Sequence, residues 1–231
     1  MFNRLRKALS REAKPAAQAA PASAGAGPMA DWAQQHGLVI SSQTANSVVI
    51  ECHVGSTPCR MELGKPSRNY IQGEELRARA ELGLDEDLTA LVMNRPLKEA
   101  LERKAYSMIT DTLQTTADPN LPEEMRWLAM YDEVGWETLP AEFWGRYAVL
   151  TDRREHAMAW LDETLADLLL DWPAPAPNPQ TPFMVILLRG KLYLRMEFSP
   201  AEVTTVQHAA RIFQASCESA LGAFEGYTPP R

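Results

Sequence analysis

The sequence predicts an α+β protein in which antiparallel β-hairpins and a meander are covered by about five main helices. Three observations carry this. Short runs rich in β-branched residues are separated by tight-turn residues, as at Leu38–Gln43, Ser47–Val54 and Phe183–Phe198. Longer segments place apolar residues at helical spacing between Pro and Gly punctuation. The two kinds of segment are interspersed without a strict βαβ alternation.

In chain order, Ala30–Gly37 reads as a short helix with Asp31 near its start and Gly37 at the C-cap position. Leu38–Gln43, Ser47–Val54 and Cys59–Leu63 follow as strands, turning at Thr44–Asn46 and Gly55–Pro58, which makes a three-stranded meander. Gly73–Leu82 reads as a helix with Leu76, Ala80 and Leu82 inward, ended by Gly83. Leu88–Met93 is a compact apolar strand. Pro96 suits the first turn of a helix to about Thr115, with Leu97, Leu101 and Tyr106 inward, and Pro122 opens another that reaches Val134. Tyr147–Thr151 is a strand, and Arg154–Trp172 a long helix. Five prolines between Pro173 and Pro182 forbid its continuation and impose an extended connector. Phe183–Leu188 and Lys191–Phe198 form a hairpin around Arg189-Gly190, and Ser199 and Pro200 open the last helix.

Leu91–Arg95 and Val149–Arg153 share a strand-then-helix grammar, and both halves read ββαβα in cyclic order. Such a pattern arises from a permuted duplication of two similar subdomains or from coincidence. The organisation expected is a basic amphipathic leader (1–14), an Ala/Pro-rich flexible linker (15–28), and two α+β subdomains (29–138 and 139–231).

With 45% hydrophobic residues among 231, the chain can bury a full core. Thirty acidic against 23 basic residues give a net charge of -7, which argues against nucleic acid as a partner. The longest apolar run, Phe183–Leu188, is far short of the roughly 20 residues of a spanning helix. Arg4, Arg6 and Lys7 interrupt the only apolar stretch of the N-terminus, so a secretory signal is not expected there. Three cysteines match no disulfide framework, and packed thiols in a reducing, cytoplasmic setting are the simplest reading.

Cys52, His53 and Cys59 invite a metal site, but if Val54 pairs with Cys59 across the turn, Cys52 and Cys59 lie diagonally on one face while His53 points to the other. No fourth ligand is near, so no metal is expected and the cysteines read as packed thiols, with a reversible Cys52–Cys59 disulfide as the alternative. Asp85-Glu86-Asp87, Glu123-Glu124 and four dispersed histidines form no catalytic constellation, and no cofactor motif occurs. Lys65, Ser67 and Arg68 follow a strand, with Arg77 close behind; two cations and a hydroxyl there would suit an anion or a partner. Trp136, Phe143 and Trp144 sit between Gly135, Pro140 and Gly145, where aromatic residues can anchor a protein interface. Phe2, Leu5 and Leu9 with Arg4, Arg6 and Lys7 form an amphipathic stripe that would serve as a weak tether to an anionic membrane surface or a partner, or stay solvated.

An empty catalytic inventory behind a leader and linker points away from an enzyme, towards an intracellular adaptor or chaperone-like module that binds another protein. In fold terms alone, an acidic α+β module of this kind is loosely similar to small secretion-chaperone-like domains. The alternative is an enzyme or small-ligand binder that recognises an anionic group near Lys65, Arg68 and Arg77.

Overall fold

A computed structural model describes residues 26–112, 123–198 and 202–226; the leader and the helix start at Ser199 and Pro200 lie outside these residues. Its centre is one antiparallel nine-stranded sheet, ordered β1-β2-β3-β4-β9-β8-β5-β7-β6. The strands are β1 (Val39–Thr44), β2 (Ser47–Val54), β3 (Thr57–Gly64), β4 (Glu75–Glu81), β5 (Thr89–Asn94), β6 (Asp132–Val134), β7 (Tyr147–Thr151), β8 (Phe183–Leu188) and β9 (Lys191–Glu197). The helices are α1 (Ala26–Gln35), α2 (Arg95–Thr112), α3 (Glu123–Met130), α4 (Ala141–Arg146), α5 (Arg154–Trp160), α6 (Glu163–Leu170) and α7 (Val203–Phe224). The α+β class and the meander β1-β2-β3 stand as the sequence predicts.

The two segments 29–138 and 139–231 interleave within that sheet. The hairpin β8-β9 lies between β4 and β5, and β5 is flanked by β8 and β7. Central strands are buried on both faces, and their alternation divides the core into two layers. Val92, Val149, Val185 and Leu187 point into the larger layer under α1 and α4–α7, where Trp160, Phe143 and Phe213 are fully buried. Leu91, Met93, Leu150, Met184 and Ile186 point into the smaller one, which α2 and α3 close with Leu97, Leu101, Met125 and Trp127. Towards β2, β3, β4 and β9 this second face becomes a ladder of charged side chains, Arg60, Glu62, Arg77, Arg79, Glu81 and Arg195, which meets α3 at Glu124.

Several elements differ from expectation, each for a physical reason. Residues 75–81 are the strand β4, not a helix. Leu76, Ala78 and Ala80 alternate strictly inward against charged neighbours, and the i, i+4 spacing of Leu76 and Ala80 satisfies both periods. The long helix over Arg154–Trp172 is broken. Asp162 leaves helical geometry and accepts a hydrogen bond from Leu165 N (2.7 Å), capping α6 as a new helix while the apolar periodicity runs on through Leu161 and Leu165. The helix expected to reach Val134 stops at Met130, and Asp132–Val134 pairs with β7. Tyr106, expected inward, is 72% exposed. Helix α1 begins at Ala26, so the last residues assigned to the linker belong to the fold; Ala26 and Met29 are buried.

Candidate functional site

The segment carrying Lys65, Ser67 and Arg68 connects β3 to β4, and the structure brings three of the four predicted residues into one ion-pair network. Ser67 donates from both its backbone N and its Oγ (3.2 Å) to Glu75. Arg68 donates from Nε to Glu124 Oε1, with Glu123 at 3.7 Å. Arg77 binds Glu62 (2.6 Å) and faces Glu75 (3.6 Å). Lys65 is exposed and takes no part in an ion pair among the described residues. The acceptors that these groups engage are the chain's own carboxylates.

At the centre is Arg195 on β9, which the sequence reading missed. It spans two carboxylates with no exposed side-chain surface, Glu75 (2.9 Å) and Glu124 (2.7 Å). Tyr70 adds a hydroxyl donor to Glu124 Oε1 (3.2 Å). The Tyr70 hydroxyl is pushed well above its ordinary pKa by burial and then by the Glu124 charge, so it stays a donor. Burial alone would lower the pKa of Arg68, but the hydrogen bond and charge of Glu124 outweigh it and hold the guanidinium charged. The arrangement clamps the β3–β4 connection and the start of α3 onto the sheet. The sequence signal for it was an alternating strand with Arg195 facing in the same direction as Glu75 and Arg77, legible only once β4 is read as a strand.

The aromatic group lies largely inside. Phe143 is fully buried, Trp136 is 7% exposed, and the half-buried Trp144 donates from Nε1 to Trp136 O (3.2 Å). Phe143 and Trp144 meet edge to face at 5.1 Å, so most of their area packs against the chain itself. The same series continues through Tyr147, Trp172 and Phe183 into the wall of an 850 Å³ groove between the start of α2 and the proline connector. Asn94 fixes that connector, donating to Pro179 O and Thr181 O and accepting from Phe183 N, all at 3.0 Å. The predicted tether residues Phe2 to Leu9 lie outside the described residues.

Cys52 and Cys59 are bonded as a disulfide rather than packed as thiols. The correction follows from register: the turn is Gly55-Ser56 alone, Val54 pairs with Thr57, and Cys52 therefore stands directly opposite Cys59 instead of diagonal to it. Pro58 is tolerated because the pairing of β3 with β4 begins only at Cys59. His53 points to the other face, and among the described residues no group of three metal-ligating side chains occurs. The free Cys217 is buried, which pushes its thiol up to about 12.

The two ends of the sheet contrast. The edge strand β6 has only three residues, two of them Asp132 and Glu133, and Glu133 is held by Arg95 (3.0 Å) and Lys98 (3.0 Å). Edge strand β1 has six residues, VISSQT, with no charge and no proline. Five of its six positions are exposed, Val39 to 65%, and among the described residues it has a neighbour on one side only.

Comparison with protein-family models, curated proteins and solved structures finds no match. No helix among the described residues is long and apolar enough to cross a membrane.

Proposed function

We propose that this protein is a non-enzymatic protein-interaction module, adaptor- or chaperone-like, that adds an extended segment of a partner protein to the free edge of β1. The observation that carries the reading is the asymmetry of the sheet edges. Short length, charge, proline and β-bulges are the usual means of blunting an edge; β6 has the first two, whereas β1 has only the register shift between Ile40 and Ser42. An open edge offers unpaired N–H and C=O groups whose natural complement is another strand. Residues 26–231 hold 18 Lys and Arg against 29 Asp and Glu, a net charge of -11, which favours an electropositive partner segment. The basic leader, with five cations and one carboxylate over residues 1–14, would hold the module near an anionic surface or assembly.

The alternative of an anionic ligand at Lys65, Arg68 and Arg77 draws less support, because Arg68 and Arg77 already bind Glu124 and Glu62. The test is capture of a stoichiometric partner by the full chain, by the 26–231 chain, and by each carrying Val39→Lys with Gln43→Lys. Retention by both parents with loss in both edge variants supports the reading. A partner captured equally by the edge variants rejects it.

A further inference from the structure

Eight of the thirteen arginines among the described residues close an ion pair there; of the five that do not, Arg126, Arg153 and Arg189 line one 350 Å³ pocket, while Arg154 and Arg211 lie outside it. The pocket lies where β5 begins at Thr89 and where β7 and β8 end at Thr151 and Leu188, with Trp127 of α3 and Tyr131, just past its end, alongside. Each arginine is placed there by a separate device. Thr151 Oγ1 donates to Thr89 O (2.7 Å) and accepts from Arg153 N (3.1 Å), fixing the backbone that presents Arg153. Arg126 is half-buried, and its Nε is shielded from solvent without a hydrogen-bond partner among the described residues. A guanidinium N–H in that position lacks an acceptor that the fold itself does not provide. Arg189 occupies the first position of the β8–β9 turn at φ 52°, where Gly, Asn or Asp is the unstrained choice.

Glu86, Asp87, Asp152 and Glu123 also line this pocket. Arg68 holds Glu123 from outside it at 3.7 Å, whereas none of the other three reaches an arginine within 4.0 Å among the described residues. Arg153, Arg189, Glu86, Asp87 and Asp152 are exposed at the rim and Arg126 is half-buried, so charges of both signs border one open cavity without an ion pair across it among the described residues.

We infer that this pocket is a binding site for a small dipolar ligand, its oxyanion held by Arg126, Arg153 and Arg189 and its ammonium group by Glu86, Asp87 and Asp152. Guanidinium forks suit phosphate or carboxylate oxygens, and the opposite wall rejects a plain polyanion. The site is separate from the β1 edge and does not depend on the interaction reading.

Calorimetric titration of the full chain with O-phosphoethanolamine, inorganic phosphate and ethanolamine tests it, with phosphatidylethanolamine vesicles as the arm that separates a lipid headgroup from a free solute. Phosphoethanolamine should bind at least about tenfold more tightly than either half-ligand, the worth of one charge-assisted hydrogen bond. Arg189→Gly is the decisive variant, because it should raise Tm by relieving the turn while weakening phosphoethanolamine about tenfold or more. Arg126→Gln should weaken it similarly, and Asp87→Asn should reduce the preference over phosphate. A raised Tm in Arg189→Gly with unchanged binding overturns the proposal, as does the absence of binding to both phosphoethanolamine and the vesicles, or equal binding of phosphate and phosphoethanolamine. Binding to vesicles alone overturns the free-solute form and keeps the headgroup form.

Discussion

Replacing Arg195 with Met removes the cation shared by two carboxylates that have no exposed side-chain surface. After the change Glu75 keeps the Ser67 donors and Arg77 at 3.6 Å, and Glu124 keeps Arg68 and Tyr70, so neither is stripped of every partner. The loss nevertheless leaves net negative charge buried between the sheet and α3. Breaking a buried pair by deleting one partner costs about 3–5 kcal/mol, against under about 1 kcal/mol for an exposed pair. Urea unfolding followed by circular dichroism should show that loss with an unchanged m-value, equivalent to a fall in Tm of roughly 6–20 °C for a chain of this size. Arg103→Met is the matched control, because its partner Glu99 lies at 3.7 Å on an exposed helix face with both side chains more than half exposed (71% and 61%). A cost for Arg195→Met no greater than that for Arg103→Met would refute the claim that the network clamps the β3–β4 connection and α3 to the sheet.

Three further perturbations have defined outcomes. Gly190→Ala places a Cβ 2.4 Å from Leu84 O at φ 69°, and Leu82 N and Gly83 N both bind Gly190 O (3.0 Å), so the turn cannot shift freely; a loss above about 2 kcal/mol is expected in urea unfolding, and a neutral substitution would contradict the packing described. Reducing Cys52–Cys59, which closes a loop of sequence separation 7, should remove about 2–2.5 kcal/mol and lower Tm by roughly 4–10 °C. Thiol counting should then find two new groups while Cys217 stays unreactive until unfolding, and no new thiols on reduction would disprove the bond. His208 donates from Nε2 to Leu168 O (2.7 Å), and burial holds its pKa below the ordinary 6.5. The unfolded chain thus takes up the proton first, and stability should fall as pH drops from about 6.5 through the folded value. His208→Gln should flatten that acid limb, and an unchanged slope would remove His208 as its cause.

Period-2 and helical patterns located most of the strands and helices because burial imposes them residue by residue. The patterns failed where one sequence satisfies both periods, as Leu76 and Ala80 do, or where an apolar stripe outlasts its helix, as at Leu161-Asp162. Register was legible only to within a turn. Reading Gly55–Pro58 as four turn residues rather than two displaced Cys59 from Cys52 and hid the disulfide. The candidate sites fared similarly. Arg68 and Arg77 were visible as clustered cations, but their partners Glu124 and Glu62 lie 56 and 15 residues away in sequence, a separation that no local pattern reports. The pocket of Arg126, Arg153 and Arg189 draws on three segments that become neighbours only through the pairing of β5 with β7 and β8. Of the aromatic residues around Trp136–Tyr147, Tyr147 lines the 850 Å³ groove, whereas Phe143 and Trp136 are spent in the core.

Amide hydrogen exchange of β1, measured on the free chain and on its complex with the captured partner, tests the interaction reading most directly. Strand addition predicts that exchange slows along Val39–Thr44 in the complex, at the amides that point away from β2, and that Val39→Lys with Gln43→Lys abolishes the slowing. Unchanged exchange at β1, with protection appearing instead around the 850 Å³ groove or the arginine pocket, would contradict it.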